Sequence, residues 1–84
     1  DDVIIVQNNL VRDSTRANVA IFCDGLWLTP ARPLLAGTTR ERYLKMGLLR
    51  EFDITTQMLK SASKIAVMNA MIDFVEIKNA VICD

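Results

Sequence analysis

The sequence predicts an α+β domain, a mixed β-sheet carrying two short helices, and three observations predict it. Apolar, β-branched segments crowd the first 30 residues. Helix start and stop signals fall only between residues 37 and 61, and a further apolar segment follows at residues 65–71. Strands, then helices, then a strand is the order of an α+β fold rather than of a strand–helix alternation. At 84 residues, with 51% hydrophobic and 24% charged, the chain suits one small globular domain and not a disordered one.

Residues 3–6, Val-Ile-Ile-Val, are all β-branched and lack helical spacing, which predicts a strand buried on both faces. Because this run directly follows Asp1 and Asp2, the N-terminus is expected to be a cut edge, with the strand joining sheet members carried elsewhere. Gln7-Asn8-Asn9 reads as a turn, since asparagine tolerates the left-handed region. Residues 10–12 continue extended, and the polar residues 13–16 read as a sheet-edge loop. Residues 18–22 predict the next strand. Asp24-Gly25 between apolar runs predicts a type I′ hairpin returning through residues 26–29. Pro30 and Pro33 forbid regular pairing, so residues 30–36 are expected to cross the surface as a loop.

Thr38 and Glu41 match the S/T-x-x-E capping box, and Gly47 fits the position just past a helix end. Residues 48–54 read as extended. Thr55 is an expected N-cap for a second helix reaching Ser61, with Met58 and Leu59 inward, and residues 65–71 read as a strand with Asn69 inside it. From Lys78 onward no pattern emerges.

Ten basic residues balance ten acidic ones and there is no histidine, so the net charge is zero. Nothing global favours nucleic acid or an anionic membrane. The stretch at residues 48–54 is also too long for the turn of a helix-turn-helix. No apolar run approaches the roughly 20 residues that cross a bilayer, and no signal-peptide pattern opens the chain, so a cytoplasmic location is expected. Without histidine, a Ser-His-Asp triad, a Cys-His dyad and any histidine-based metal site are excluded within the chain. The carboxylates are scattered, and no metal site is expected. Cys23 and Cys83 lie far apart outside any C-x-x-C spacing and are expected as reduced thiols.

Three segments carry polar chemistry. Gly37-Thr38-Thr39 at a helix start offers unpaired N–H groups, a positive dipole end and hydroxyls, which either cap the helix or hold a phosphate. Asn69 within an apolar strand must find partners, either a neighbouring loop or a ligand at the strand end. Asp13, followed by Asn18, either caps a turn or faces a heterocyclic nitrogen and keeps it protonated.

Read together, these segments resemble a known family. Val-Arg-Asp-Ser-Thr-Arg-Ala-Asn-Val-Ala-Ile-Phe, then Asp-Gly, Leu-Thr-Pro, Leu-Leu-Ala-Gly-Thr-Thr-Arg and Met-Asn-Ala follow one another in the order of the class IV aminotransferases. These fold-type IV pyridoxal-phosphate enzymes include branched-chain and D-amino-acid aminotransferases and aminodeoxychorismate lyase. The resemblance covers about residues 3–77. It implies that residues 1–84 are the C-terminal part of a larger cofactor-binding domain. Asp13 then stands where the family has a glutamate at the pyridine nitrogen, and Asn18 at the asparagine near the ring, with Ala17 in place of a serine. Gly37, Thr38 and Thr39 match the phosphate-holding G-I-T segment, Asn69 and Ala70 the second phosphate-contacting turn, and Arg40 an arginine that serves the helix.

The resemblance also implies pyridoxal 5′-phosphate as cofactor of the complete enzyme, an amino acid or aminodeoxychorismate-type substrate, and a homodimer. Amino-group transfer and pyruvate elimination need the same cofactor grip. The family's Schiff-base lysine lies upstream of the acidic residue, and Lys45, Lys60, Lys64 and Lys78 match no such position. No catalytic residue is expected in this chain, which alone is expected to be silent. The competing expectation is a small α+β interaction module without cofactor.

Overall fold

The structure, a computed structural model, describes residues 2–78 and 80–83. Its elements run β1 (Asp2–Gln7), β2 (Leu10–Ser14), β3 (Asn18–Cys23), β4 (Leu26–Pro30), α1 (Thr38–Lys45), β5 (Arg50–Phe52), α2 (Thr56–Ser61), β6 (Lys64–Asn69), β7 (Asp73–Ile77) and β8 (Ala80–Cys83). The strands form two sheets, one ordered β2-β1-β8 and one ordered β5-β4-β3-β6-β7. Most neighbours are antiparallel, but β1 pairs β8 and β4 pairs β5 in parallel, so the expected mixed α+β architecture is present.

Local chemistry explains the connections. Asn8 and Asn9 both have positive φ (54° and 62°), as do Asp24 and Gly25 (51° and 78°), which is the signature of type I′ turns at the β1–β2 and β3–β4 hairpins. Gly47, at φ 76°, takes the left-handed position after the α1 C-cap Met46. Thr55 caps α2 as predicted, its Oγ1 accepting the Met58 N–H at 3.2 Å.

Alternation along β3 sorts the core into two. Val19 and Ile21 join Ile4, Val6 and Val11 of the smaller sheet, with Ile54 and with Leu59 of α2. Ala20 faces the other way, onto Met68 and Leu49, with Trp27, Tyr43, Leu44 and Phe74 packed around them. The larger sheet is therefore covered on one face by the smaller sheet and α2, and on the other by α1. Thr29 is fully buried, and its hydroxyl donates to Val19 O at 2.7 Å, which ties β4 to β3 without leaving a polar orphan.

Several expectations need correction. The capping box does not form: the N-cap is Gly37, Thr38 is already helical, and no side chain caps α1. Asp13 and Ser14 belong to β2 rather than to a loop. The strand at residues 65–71 ends at Asn69, β7 follows over Asp73–Ile77, for which no element was expected, and β8 lies beyond Lys78, where no pattern was legible. Cys23 is a free thiol, whereas the expectation for Cys83 concerns a side chain outside the described residues. Among the described residues no helix is long and apolar enough to cross a membrane, and no group of metal-ligating side chains occurs.

Candidate functional site

A bulge in β2 aims the key carboxylate. Ile5 pairs with Asp13 and Val6 with Val11, so Arg12 is an extra residue and the register shifts between Ile5 and Val6. In a regular strand Asp13 would share a face with Val11, inside the apolar core. The extra residue puts it beside Ile5 on the opposite face, where both line a pocket of about 330 Å³.

The pocket sits where the chain passes from the smaller sheet to the larger. Its wall includes Asp13 of β2, Asn18 at the start of β3, Gly37 just before α1, and Asn69 at the end of β6. The turn between β2 and β3 is tight: the Ser14 N–H and Oγ both bond Ala17 O, at 3.0 and 2.9 Å. That turn brings Asp13 and Asn18 within hydrogen-bond distance. Asn69 locks the far side. Its Nδ2 donates to Arg16 O at 3.2 Å, and its Oδ1 accepts the N–H groups of Met71 and Ile72, each at 2.9 Å. The polar residue predicted within a strand thus caps the turn that follows it and is half-buried rather than buried.

Asp13 and Asn18 are buried, at 5% and 6% exposure. Asp13 Oδ1 accepts Asn18 Nδ2 at 2.8 Å, and Oδ2 accepts the N–H groups of Leu34 and Leu35 at 2.8 and 3.3 Å. Burial pushes the Asp13 carboxyl above its ordinary pKa, against the pull of the Asn18, Leu35 and Leu34 hydrogen bonds and the Arg40 guanidinium. A carboxylate has about four acceptor sites, and three donors leave room for one more.

Of the predicted residues, Asp13, Asn18, Gly37 and Asn69 meet in this wall, whereas Thr38, Thr39 and Ala70 are not part of it. The Gly37 N–H donates to Asn18 Oδ1 at 3.0 Å, so it is already committed. Thr38 is exposed and Thr39 is buried in the first turn of α1. Arg40, expected to serve its own helix, instead ties α1 to β4 and β5. Its side chain is 4% exposed, and Nη2 bonds Pro30 O at 3.1 Å and Glu51 Oε2 at 2.5 Å. Sequence reasoning missed Leu34 and Leu35, whose backbone N–H groups hold Asp13. Backbone donors leave no side-chain signature, and only Pro33 just before them hinted at a fixed path.

Chemically, the site can hold a protonated nitrogen against Asp13, with an anion at the uncapped first turn of α1. The fold and this pocket define an α+β domain with a buried carboxylate in the wall of a pocket of about 330 Å³.

The model of the Amino-transferase class IV family matches residues 1–80, and the chain belongs to that family. A Haemophilus influenzae protein of uncharacterised function is 34% identical over 71 residues, 84% of this chain and 38% of that protein. The crystal structure of a Haemophilus somnus 129PT protein, provisionally described as a 4-amino-4-deoxychorismate lyase, is similar with a TM-score of 0.79 at 30% identity, over 84% of this chain and 37% of that one. An aminotransferase from Brucella abortus bound to the cofactor PLP matches with a TM-score of 0.81 at 21% identity, over 94% of this chain and 31% of that one. The chain spans well under half the length of each of these proteins.

Proposed function

We propose that this chain is the part of a pyridoxal-phosphate-dependent class IV enzyme that holds the cofactor's ring nitrogen and phosphate. The observation that carries the reading is the convergence of Asp13, Asn18, Gly37 and Asn69, four positions of the family resemblance from four segments, on one pocket. The residues fit the group. The pocket volume of about 330 Å³ is within the range of small-molecule sites. Asp13 keeps one acceptor site, and the first turn of α1 has no side-chain cap to occupy its N–H groups.

In this reading Asp13 accepts a hydrogen bond from the ring nitrogen and holds a proton there. The N–H groups of Thr38 and Thr39 and the Thr39 hydroxyl bind the phosphate, with the Asn69–Ala70 turn as a second contact. Gly37 contributes its lack of a side chain. When bound, pyridoxal phosphate supplies an electron-withdrawing ring for bond breaking at an amino-group-bearing carbon. The complete protein would be a cytoplasmic homodimer acting on an amino acid or an aminodeoxychorismate-type substrate, by amino-group transfer or pyruvate elimination. Its Schiff-base lysine would come from outside these 84 residues.

Titrating the full-length protein with pyridoxal phosphate tests this directly. A saturable visible absorption band that disappears on borohydride reduction is expected. Absence of both the band and retained cofactor would overturn the reading and favour a cofactor-free module.

A further inference from the structure

Asn18 commits both ends of its side-chain amide to protein. Nδ2 donates to Asp13 Oδ1 at 2.8 Å and to Leu35 O at 2.7 Å, while Oδ1 accepts the Gly37 N–H at 3.0 Å. Asp13 holds the same strap through its other oxygen, which accepts the Leu34 and Leu35 N–H groups. Two buried side chains thus grip residues 34–37 through N–H groups and a carbonyl alike. The amide's orientation is dictated by this network: turned over, its oxygen would face the Asp13 carboxylate and the Leu35 carbonyl, and its NH₂ would face the Gly37 N–H. The fit is also close, because a Cβ on Gly37 would lie 2.7 Å from Asn18 Oδ1.

We infer that Asn18 is a positioning residue that makes the orientation of the Asp13 carboxylate and the placement of the first α1 amides one mechanical unit. The inference rests on the cofactor reading above and deepens it: the ring-nitrogen end and the phosphate end of the site set each other through one amide. Gly37 is the residue directly before Thr38, and consecutive Cα atoms are about 3.8 Å apart. A shift at Gly37 therefore passes to the Thr38 and Thr39 N–H groups almost undiminished. Asn18 acts through Asp13, Leu35 and Gly37.

The test uses the full-length protein, apo and loaded with pyridoxal phosphate. Asn18→Ala removes the bridge and leaves Leu35 O and the Gly37 N–H without their partner. Faster hydrogen exchange at the Leu34, Leu35 and Gly37 amides of the apo protein is expected. The pyridoxal phosphate Kd is expected to rise roughly tenfold or more. The pH midpoint of the bound cofactor's visible absorption should move, because Asp13 loses a donor. Combining Asn18→Ala with Thr39→Ala should raise Kd by less than the product of the single effects.

Asn18→Asp, nearly isosteric, keeps an acceptor for Gly37 but sets a second carboxylate against Asp13. It should move the same midpoint, and it carries the measurements if the alanine variant does not fold. Wild-type exchange at the three amides, or an unmoved midpoint with fully multiplicative Kd effects, overturns the coupling. A wild-type protein that takes up no pyridoxal phosphate overturns the cofactor reading, and this inference with it.

Discussion

Asn18 and Asp13 share a buried hydrogen bond, Nδ2 to Oδ1 at 2.8 Å, across the tight turn that joins the two sheets. Because β2 and β3 belong to different sheets, this bond also fixes how the sheets meet at the pocket. The polar pair is tolerated in a buried place because the hydrogen-bonding atoms of both side chains have partners.

Asp13→Asn should reduce turnover of the full-length enzyme by roughly two orders of magnitude while lowering pyridoxal phosphate retention far less. The variant amide can still accept from Leu34 and Leu35 but would set an NH₂ against Asn18 Nδ2, so about 1–3 kcal/mol of stability should be lost as well. Steady-state kinetics beside a cofactor titration separates the effects; unchanged turnover would remove Asp13 from its assigned role.

Gly37→Ala should destabilise the fold by about 1–3 kcal/mol. The cause is space and not backbone conformation: Gly37 has φ −84°, open to any residue, but the new Cβ would meet Asn18 Oδ1 at 2.7 Å. The Asn18 amide is held on both ends and has nowhere to retreat. Urea unfolding measures the loss, and a neutral result would show that the strap yields.

Substitution should matter little at Thr38 and considerably at Thr39. Thr38 is exposed and makes no cap, so Thr38→Ala should change stability by less than about 0.5 kcal/mol. Thr39→Ala should weaken pyridoxal phosphate binding by about ten- to a hundredfold, the value of one hydrogen bond to a charged group. Equal affinities for both variants and the wild type would contradict the phosphate role of α1.

Asp13 gives stability a pH dependence whose sign can be worked out. Burial raises its pKa in the folded chain, so the folded state binds this proton more tightly than the unfolded state does. Its contribution is fully present below the ordinary carboxylate pKa and is lost as pH rises through the raised folded value. Unfolding the apo wild type and Asp13→Asn side by side, from about pH 3 to pH 7, should show the wild type losing ground over that window and then levelling off. A slope of opposite sign would mean that the hydrogen bonds outweigh burial.

Much of the architecture was legible because its signals are local. Asp24-Gly25, Gly47 and Thr55 sit where their backbone chemistry demanded. Thr38 misled because its hydroxyl suits an N-cap, yet the chain enters α1 one residue earlier, at Gly37. Asp13 looked like a loop residue because a bulge is invisible in a pattern of alternation. β7 went unread because Val75 and Glu76 are both exposed on an edge strand, and little burial disciplines such a sequence. At the site, the charged and amide side chains were legible, while the Leu34 and Leu35 donors were not.

The parallel pairing of β1 with β8 joins Asp2 to Ala80 and Ile5 to Cys83. Such a ladder cannot form on a ribosome until nearly the whole segment has emerged, and ladders between distant residues are slow to close. Until then Ile4 and Val6, both destined for the core, sit on a strand whose second edge is open to other chains. Synthesis of this segment should therefore lean on chaperones more than its modest size suggests, and slowing translation near its end would lengthen that exposure.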